Sequence, residues 1–228
     1  MNFIDRFYVD FVKDQRWMDL FGGLLNTMTI TVFALLIGVA LGLLIAIIRT
    51  TADRTGKWRI PDFFCRIYLT VIRGTPTMIQ LMIFYYCIFV GRFFSGVFVA
   101  SIAFGLNSAA YVAEIIRSGI LSIPAGQMEA GRSLGFNYVE TMRYIIMPQA
   151  FKNVLPAIFN EFIVLIKETA VAGYVSVRDL TKGADNIRAQ TYDAWLPLLA
   201  AGLIYLILTM FFTTLEKKLE RRLKQGER

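Results

Sequence analysis

Asn160, Glu161, Lys167 and Glu168 stand inside a largely apolar stretch at 149–172 that Lys152 also interrupts. When such a stretch lies in a membrane, its charges face a cavity or a partner, because lipid cannot solvate them. Glu161 and Glu168 are seven positions apart, as are Asn160 and Lys167, so on a helix each pair shares a face. Carboxylates on one side suit an ammonium group, and the Lys167 ammonium and nearby amides suit a carboxylate. Together they would suit a polar pocket between helices. Glu161 falls about 17 Å along a helix that starts near Ala150, close to mid-bilayer, and is the leading candidate for substrate contact. An internal ion pair or a subunit contact would serve equally for Lys167 and Glu168, which lie near the outer surface. Asn107, midway along another apolar stretch, is a second polar candidate. Glu114 and Arg117, three apart near the inner end of that stretch, read as a structural pair.

Other chemistries are excluded by composition. Histidine is absent, Cys65 and Cys87 have neither metal-ligand nor disulfide-framework spacing, and no aspartates are matched within the apolar stretches. No catalytic residue and no metal ligand is therefore assigned. Gly56-Lys57 is followed by Trp58 and lacks the upstream glycine of a phosphate-binding loop, so any ATP must be hydrolysed by another chain.

A second constellation carries fixed spacing rather than buried charge: Glu129-Ala130-Gly131, three residues, Gly135, nine residues, Ile145, one residue, then Met147 and Pro148. Small residues at Ala130 and Gly131 let a helix lie close in a groove on a partner protein. Gly135 can supply the reversal between two helices, and Glu129 can pair with a partner's basic residue. Ile123-Pro124-Ala125 can start the first helix, and Asn137 with Glu140 fits a capping box for the second. On an ordinary loop, Glu129, Arg132 and Arg143 would simply be solvated charges.

These groups must be positioned by membrane helices. Hydrophobic residues make up 56% of the 228, more than a soluble globule carries. Spans are expected at about 21–48, 74–91, 93–117, 149–172 and 194–215, each near the roughly 20 helical residues that cross a hydrocarbon core. The loop at about 118–147 is longer than a connection needs. Residues 1–20 carry seven charges and no continuous apolar core of a signal peptide. Phe3, Ile4, Phe7, Tyr8, Phe11 and Val12 recur there with helical period, which predicts an extracytoplasmic interfacial helix. Gly38 and Gly42 form a small-residue face suited to close helix packing within the chain. Arg73-Gly74-Thr75-Pro76 predicts a break followed by a new helix with proline near its first turn.

The net charge of +7 follows sidedness rather than a nucleic-acid footprint. Lys and Arg number six at 49–73, four at 117–152 and six in the basic tail 216–228, against eight elsewhere. Five spans then place the amino terminus outside and the carboxyl terminus in the cytoplasm. The expected fold is an all-α integral membrane protein with a permease-like domain over 21–215 and a cytoplasmic helix-turn-helix between its third and fourth spans.

The spaced pattern resembles the signature of permease subunits of binding-protein-dependent ABC importers, Glu-Ala-Ala, x3, Gly, x9, Ile-x-Leu-Pro. Here Gly131 replaces the third Ala and Met147 the Leu. The resemblance runs from about Gly22 to the fifth span and points to the polar amino acid group. Its bearers are Asn26-Thr27-Met28-Thr29, Arg73-Gly74-Thr75-Pro76, Ala110-Tyr111-Val112-Ala113-Glu114, Pro148-Gln149-Ala150-Phe151, Asn160-Glu161-Phe162 and Lys167-Glu168-Thr169. It implies a permease in a prokaryotic plasma (inner) membrane, paired with a second permease subunit of the same or a related chain. It also implies delivery of a polar amino acid by an external solute-binding protein. Glu129, Ala130, Gly131 and Gly135 would engage an ATP-binding cassette ATPase subunit that holds the magnesium ATP, this chain binding no cofactor itself. Alternating access through nucleotide-driven movement of the docked loops is implied in the same way. An ion or small-solute channel without an ATPase is the alternative class, and it leaves the 129–148 pattern unexplained.

Overall fold

A computed structural model of the protein describes residues 2–91 and 93–224, without the side chains of Arg54 and Thr55. Arg92 and the end of the basic tail, including Arg228, lie outside the described residues. All regular elements within them are helical. α1 (Phe3–Phe7) continues into a π-helical turn at Tyr8–Val12 and a 3-10 turn at Lys13–Gln15, where Asp14 and Gln15 take left-handed angles, φ 56° and 54°. That reversal launches α2 (Trp17–Thr55), whose 39 residues make a rod of about 58 Å. It outruns the uncharged stretch 21–48 at both ends because no helix breaker precedes Gly56, which closes it at φ 66°.

α3 (Arg59–Gly74) and α4 (Thr77–Ile83), the latter extended by a π turn at Phe84–Ile88, meet at 109°. Pro76 is the cause: it has no N–H to donate and forces Thr75 into an extended conformation, φ −121° and ψ 148°. Acceptors freed by the break are taken up by the Gln80 amide, which donates to the Ile72 carbonyl at 2.7 Å and to the Thr75 hydroxyl at 2.8 Å. The helical part beyond the bend, Thr77–Ile88, is about 18 Å long, so the unit expected over 74–91 is an angled pair and not one straight rod.

α5 (Gly96–Leu121) is capped by Ser95, whose hydroxyl accepts from the Phe98 N–H at 3.2 Å. Then come α6 (Ala125–Ser133), α7 (Tyr138–Thr141), a π turn at Met142–Ile146 and α8 (Met147–Glu168), the last three with helical angles throughout. A 3-10 segment (Thr169–Val175), α9 (Leu180–Thr191) and α10 (Trp195–Lys224) complete the chain. α2, α5 and α10 are each long and apolar enough to cross a membrane; the α3–α4 pair, bent by 109°, has that length and composition only when its two helices are taken together, as a broken span or a re-entrant loop. α8 has the length, 22 residues, but carries Lys152, Glu161, Lys167 and Glu168.

The centre is the seam between α2 and α5. A Cβ on Gly38 would stand 2.8 Å from the Ser108 hydroxyl, and one on Gly42 2.8 Å from Val112, while Gly105 receives Ile37 in return. Ile30, Ala34, Phe104 and Leu165 fill the space beside this seam. At the start of α2, Phe11, Leu20, Leu180 and Ile187 join the N-terminal segment to α9, and Arg6 pairs with Asp193 at 2.6 Å. Of the apolar residues of that segment, Phe11 is buried and Phe3, Ile4, Phe7, Tyr8 and Val12 are exposed. Asn26 and Thr27 hold the same end: the Asn26 amide donates to the Arg178 carbonyl at 2.8 Å, and the Thr27 hydroxyl accepts from the Leu180 N–H at 3.1 Å.

Candidate functional site

Two polar side chains from consecutive positions on α5 organise the middle of the bundle. The Ser108 hydroxyl donates to Glu161 Oε1 on α8 at 2.8 Å, and the Asn107 amide donates to Gln80 Oε1 on α4 at 2.9 Å. All four residues are buried. Through Gln80 the chain of hydrogen bonds reaches the α3–α4 bend at Thr75 and Ile72. Asn107 Oδ1 is buried and has no hydrogen-bond partner, an acceptor whose isolation costs about 1–3 kcal/mol. The Glu161 carboxylate of α8, bonded to Ser108, and the open amide acceptor of the adjacent α5 residue Asn107 are both groups that can receive N–H donors. An ammonium offers three of them and no acceptor.

The structure brings Glu161 and Asn107 into one polar layer, and leaves Asn160 and Lys167 on the exposed face of α8. Glu168, half-buried, follows Glu161 two turns later on the same side. Sequence reasoning did not single out Ser108 or Gln80. Gln80 was nonetheless visible as a lone amide in the apolar run 74–91, and Ser108 as the neighbour of Asn107. Glu114 and Arg117 do pair, at 3.1 Å.

The second site is the turn between α6 and α7. Gly135, at φ 84°, reverses the chain, and the Phe136 N–H donates back to the Gly131 carbonyl at 3.1 Å. The capping box closes as its spacing predicts: Asn137 Oδ1 accepts from the Glu140 N–H at 3.0 Å, and Glu140 Oε2 accepts from the Asn137 N–H at 2.8 Å. Glu129 and Ala130 are exposed on α6. Gly131 is not on their face. It is buried, and a Cβ there would meet Thr141 Cγ2 at 2.5 Å and Ile145 Cδ1 at 3.0 Å, so its smallness lets α6 close on the α7 side. The element also leaves Leu134, Val139 and Tyr144 each more than 60% exposed.

Residues 38–225 match the family of binding-protein-dependent transport system inner membrane components. The chain is 41% identical over 207 residues to the arginine transport system permease protein ArtQ of Bacillus subtilis, covering 90% of this chain and 92% of that one. It is 36% identical over 220 residues to the L-cystine transport system permease protein TcyB of the same organism, covering 94% and 90%. With the glutamine transport system permease protein GlnP of Escherichia coli the identity is 35% over 197 residues, covering 85% and 90%. A crystal structure of an amino acid ABC transporter with histidines aligns at a TM-score of 0.85 and 38% identity, covering 97% of this chain and 99% of that one. The inward-facing MetNI methionine ABC transporter shares the fold at a TM-score of 0.75, with 20% identity and coverage of 92% and 98%. Membrane-length helices, the turn of fixed spacing ahead of α8 and a match over most of the sequence lead to one conclusion: the chain belongs to the binding-protein-dependent transport system inner membrane components, as a multi-pass permease subunit of an ATP-driven importer.

Proposed function

We propose that this permease carries a polar amino acid past Glu161, with the substrate ammonium meeting the Glu161 carboxylate and the Asn107 acceptor. The observation that carries this reading is the buried Ser108–Glu161 contact beside the unpartnered Asn107 Oδ1. The relatives' names support the solute class: arginine, cystine and glutamine all present the same ammonium and carboxylate. In this reading α8 is the fourth of five spans. Asn160, Lys167 and Glu168 contribute to the path from a second permease subunit's side or at its outer end, where a loaded solute-binding protein delivers the substrate.

The amino terminus then lies outside and the carboxyl terminus in the cytoplasm, which puts the larger share of Lys and Arg within. Glu129, Ala130 and the exposed apolar residues of the α6–α7 turn dock on an ATP-binding cassette subunit. That subunit holds the magnesium ATP. Gly131 and Gly135 give the docked element its shape. Uptake of radiolabelled arginine, glutamine and cystine into vesicles containing the assembled importer and its binding protein tests the site. Glu161→Ala should lower uptake of the transported solute by about tenfold or more, the scale of one charged hydrogen bond lost. Unchanged rate and affinity would end the proposal.

A further inference from the structure

α3 presents three different faces. Tyr68, Leu69 and Ile72 pack on Ala110 and Ala113 of α5, and the Tyr68 hydroxyl donates to the Leu106 carbonyl. A second face carries Ile60, Phe63, Phe64, Ile67 and Val71, a single helical stripe in which every side chain is 45–74% exposed. The third face turns Arg66, Thr70 and Arg73 into a groove of about 660 Å³ that Arg49, Glu114 and Arg117 also line. With α4 running into the membrane, the 109° bend lays α3 near the membrane plane. An in-plane helix with an apolar stripe beside a basic one is the arrangement of an interfacial segment.

The groove holds four guanidinium groups and one carboxylate. Glu114 accepts from Arg117 at 3.1 Å but stands 3.7 Å from Arg49 and 3.9 Å from Arg73, beyond hydrogen-bond length. Asp62 and Asp53, beside the groove, are engaged by Arg66 at 2.7 and 2.9 Å. Arg49 Nε is buried with no hydrogen-bond partner, standing 3.7 Å from Asp62 Oδ1 as an ion pair. Several N–H donors therefore line an open groove, with room for a headgroup, without a close acceptor for each, and planar guanidiniums match phosphate oxygens in pairs.

We infer that this groove holds the phosphate headgroup of an anionic phospholipid of the cytoplasmic leaflet, whose acyl chains lie along the Phe63–Phe64–Ile67 stripe of α3. The inference rests on the sidedness proposed above. A free phosphate would share the guanidinium chemistry, but the adjoining apolar stripe answers to a lipid, and basic pockets between helices at the cytoplasmic surface are suited to such headgroups. Bound there, the lipid touches the helix that leads through Thr75–Pro76 and Gln80 to Asn107, so headgroup charge would bear on the transport path.

The test uses the assembled importer in vesicles of phosphatidylethanolamine with phosphatidylglycerol, and in vesicles of phosphatidylcholine alone. Native mass spectrometry of the extracted complex should show phosphatidylglycerol retained preferentially. Arg66→Gln with Arg73→Gln should reduce that retention about twenty-five-fold, the product of about fivefold for each guanidinium. Phe63→Ser with Phe64→Ser, on an exposed surface that folding does not need, should reduce it as well, with the thermal midpoint of the complex unchanged. Retention that is indifferent to the phenylalanines and displaced by millimolar inorganic phosphate would make this a soluble-anion site and overturn the proposal. So would cross-linking of Ile67→Cys to a second permease copy or to the ATPase, since protein would then cover the stripe. Labelling of Ile67→Cys by an impermeant thiol reagent added outside intact cells would overturn the leaflet assignment and the sidedness together, while the lipid measurement is read independently.

Discussion

The two ends of α2 are built differently. At its start, backbone meets backbone: a Cβ on Gly23 would stand 2.5 Å from the Asp179 carbonyl oxygen, and one on Gly183 2.4 Å from that of Asp19. Side-chain hydrogen bonds from Asn26 and Thr27 close the remaining gaps. At its end, Arg117 bonds Glu114 at 3.1 Å while Arg49 and Arg73 stand too far from it for hydrogen bonds, at 3.7 and 3.9 Å, and Leu134, Val139 and Tyr144 stand in the open. The first end is complete within the chain and acts as a fixed frame. The second offers donors and apolar surface that only other molecules can use, as a subunit driven from one side requires.

The sharpest way to break this contrast is at the locked end. Gly183→Val and Gly23→Val each drive a side chain into backbone that cannot move aside, and each should cost about 3 kcal/mol or more, read as a collapse of the thermal midpoint of the purified complex. Gly74→Ala, where nothing lies within 4 Å, should leave that midpoint unchanged. Next in size, Thr27→Val strands the buried Leu180 N–H and should cost about 2 kcal/mol. Gly131→Val should cost about 1–3 kcal/mol locally by wedging α6 off Thr141. Its signature is loss of ATPase stimulation by a loaded binding protein while the permease still folds. Smaller still, Arg6→Gln removes an ion pair whose arginine is 44% exposed, worth under about 1 kcal/mol.

The smallest effect concerns acid. Hydrogen bonds from Lys182 and then Arg188 hold the Asp185 carboxyl below its usual range. A depressed folded value means the contribution is present at neutral pH and is lost as the pH falls through that value, below the ordinary aspartate range of about 3.9. The midpoint difference between wild type and Asp185→Asn should therefore be visible at neutral pH and vanish in strong acid.

What the sequence disclosed was what depends on near neighbours along the chain. Pro76 announces the bend, Asn137 and Glu140 their capping box, and Gly38 with Gly42 a close-packing face, because each effect acts within about a turn of helix. Glu161 and Asn107 stood out as polar residues in apolar surroundings. Their partners did not: Ser108 lies 53 positions from Glu161 and Gln80 27 from Asn107, and no periodicity encodes which residues of two helices will meet. Gly131 shows the same limit. Its size suggested a surface patch together with Ala130, but helical rotation separates the two, and only the position of Thr141 reveals which of them faces inward.

From Tyr138 through the π turn to Glu168 the backbone never leaves helical angles, so the α6–α7 turn and Glu161 ride on one shaft, about 34 Å apart. Such a shaft transmits rotation as well as tilt. Each residue along it advances about 100°, and the wide turn at Met142–Ile146 sets the phase between its two ends. Deleting one residue there would swing the Glu161 carboxylate by roughly that angle, away from Ser108.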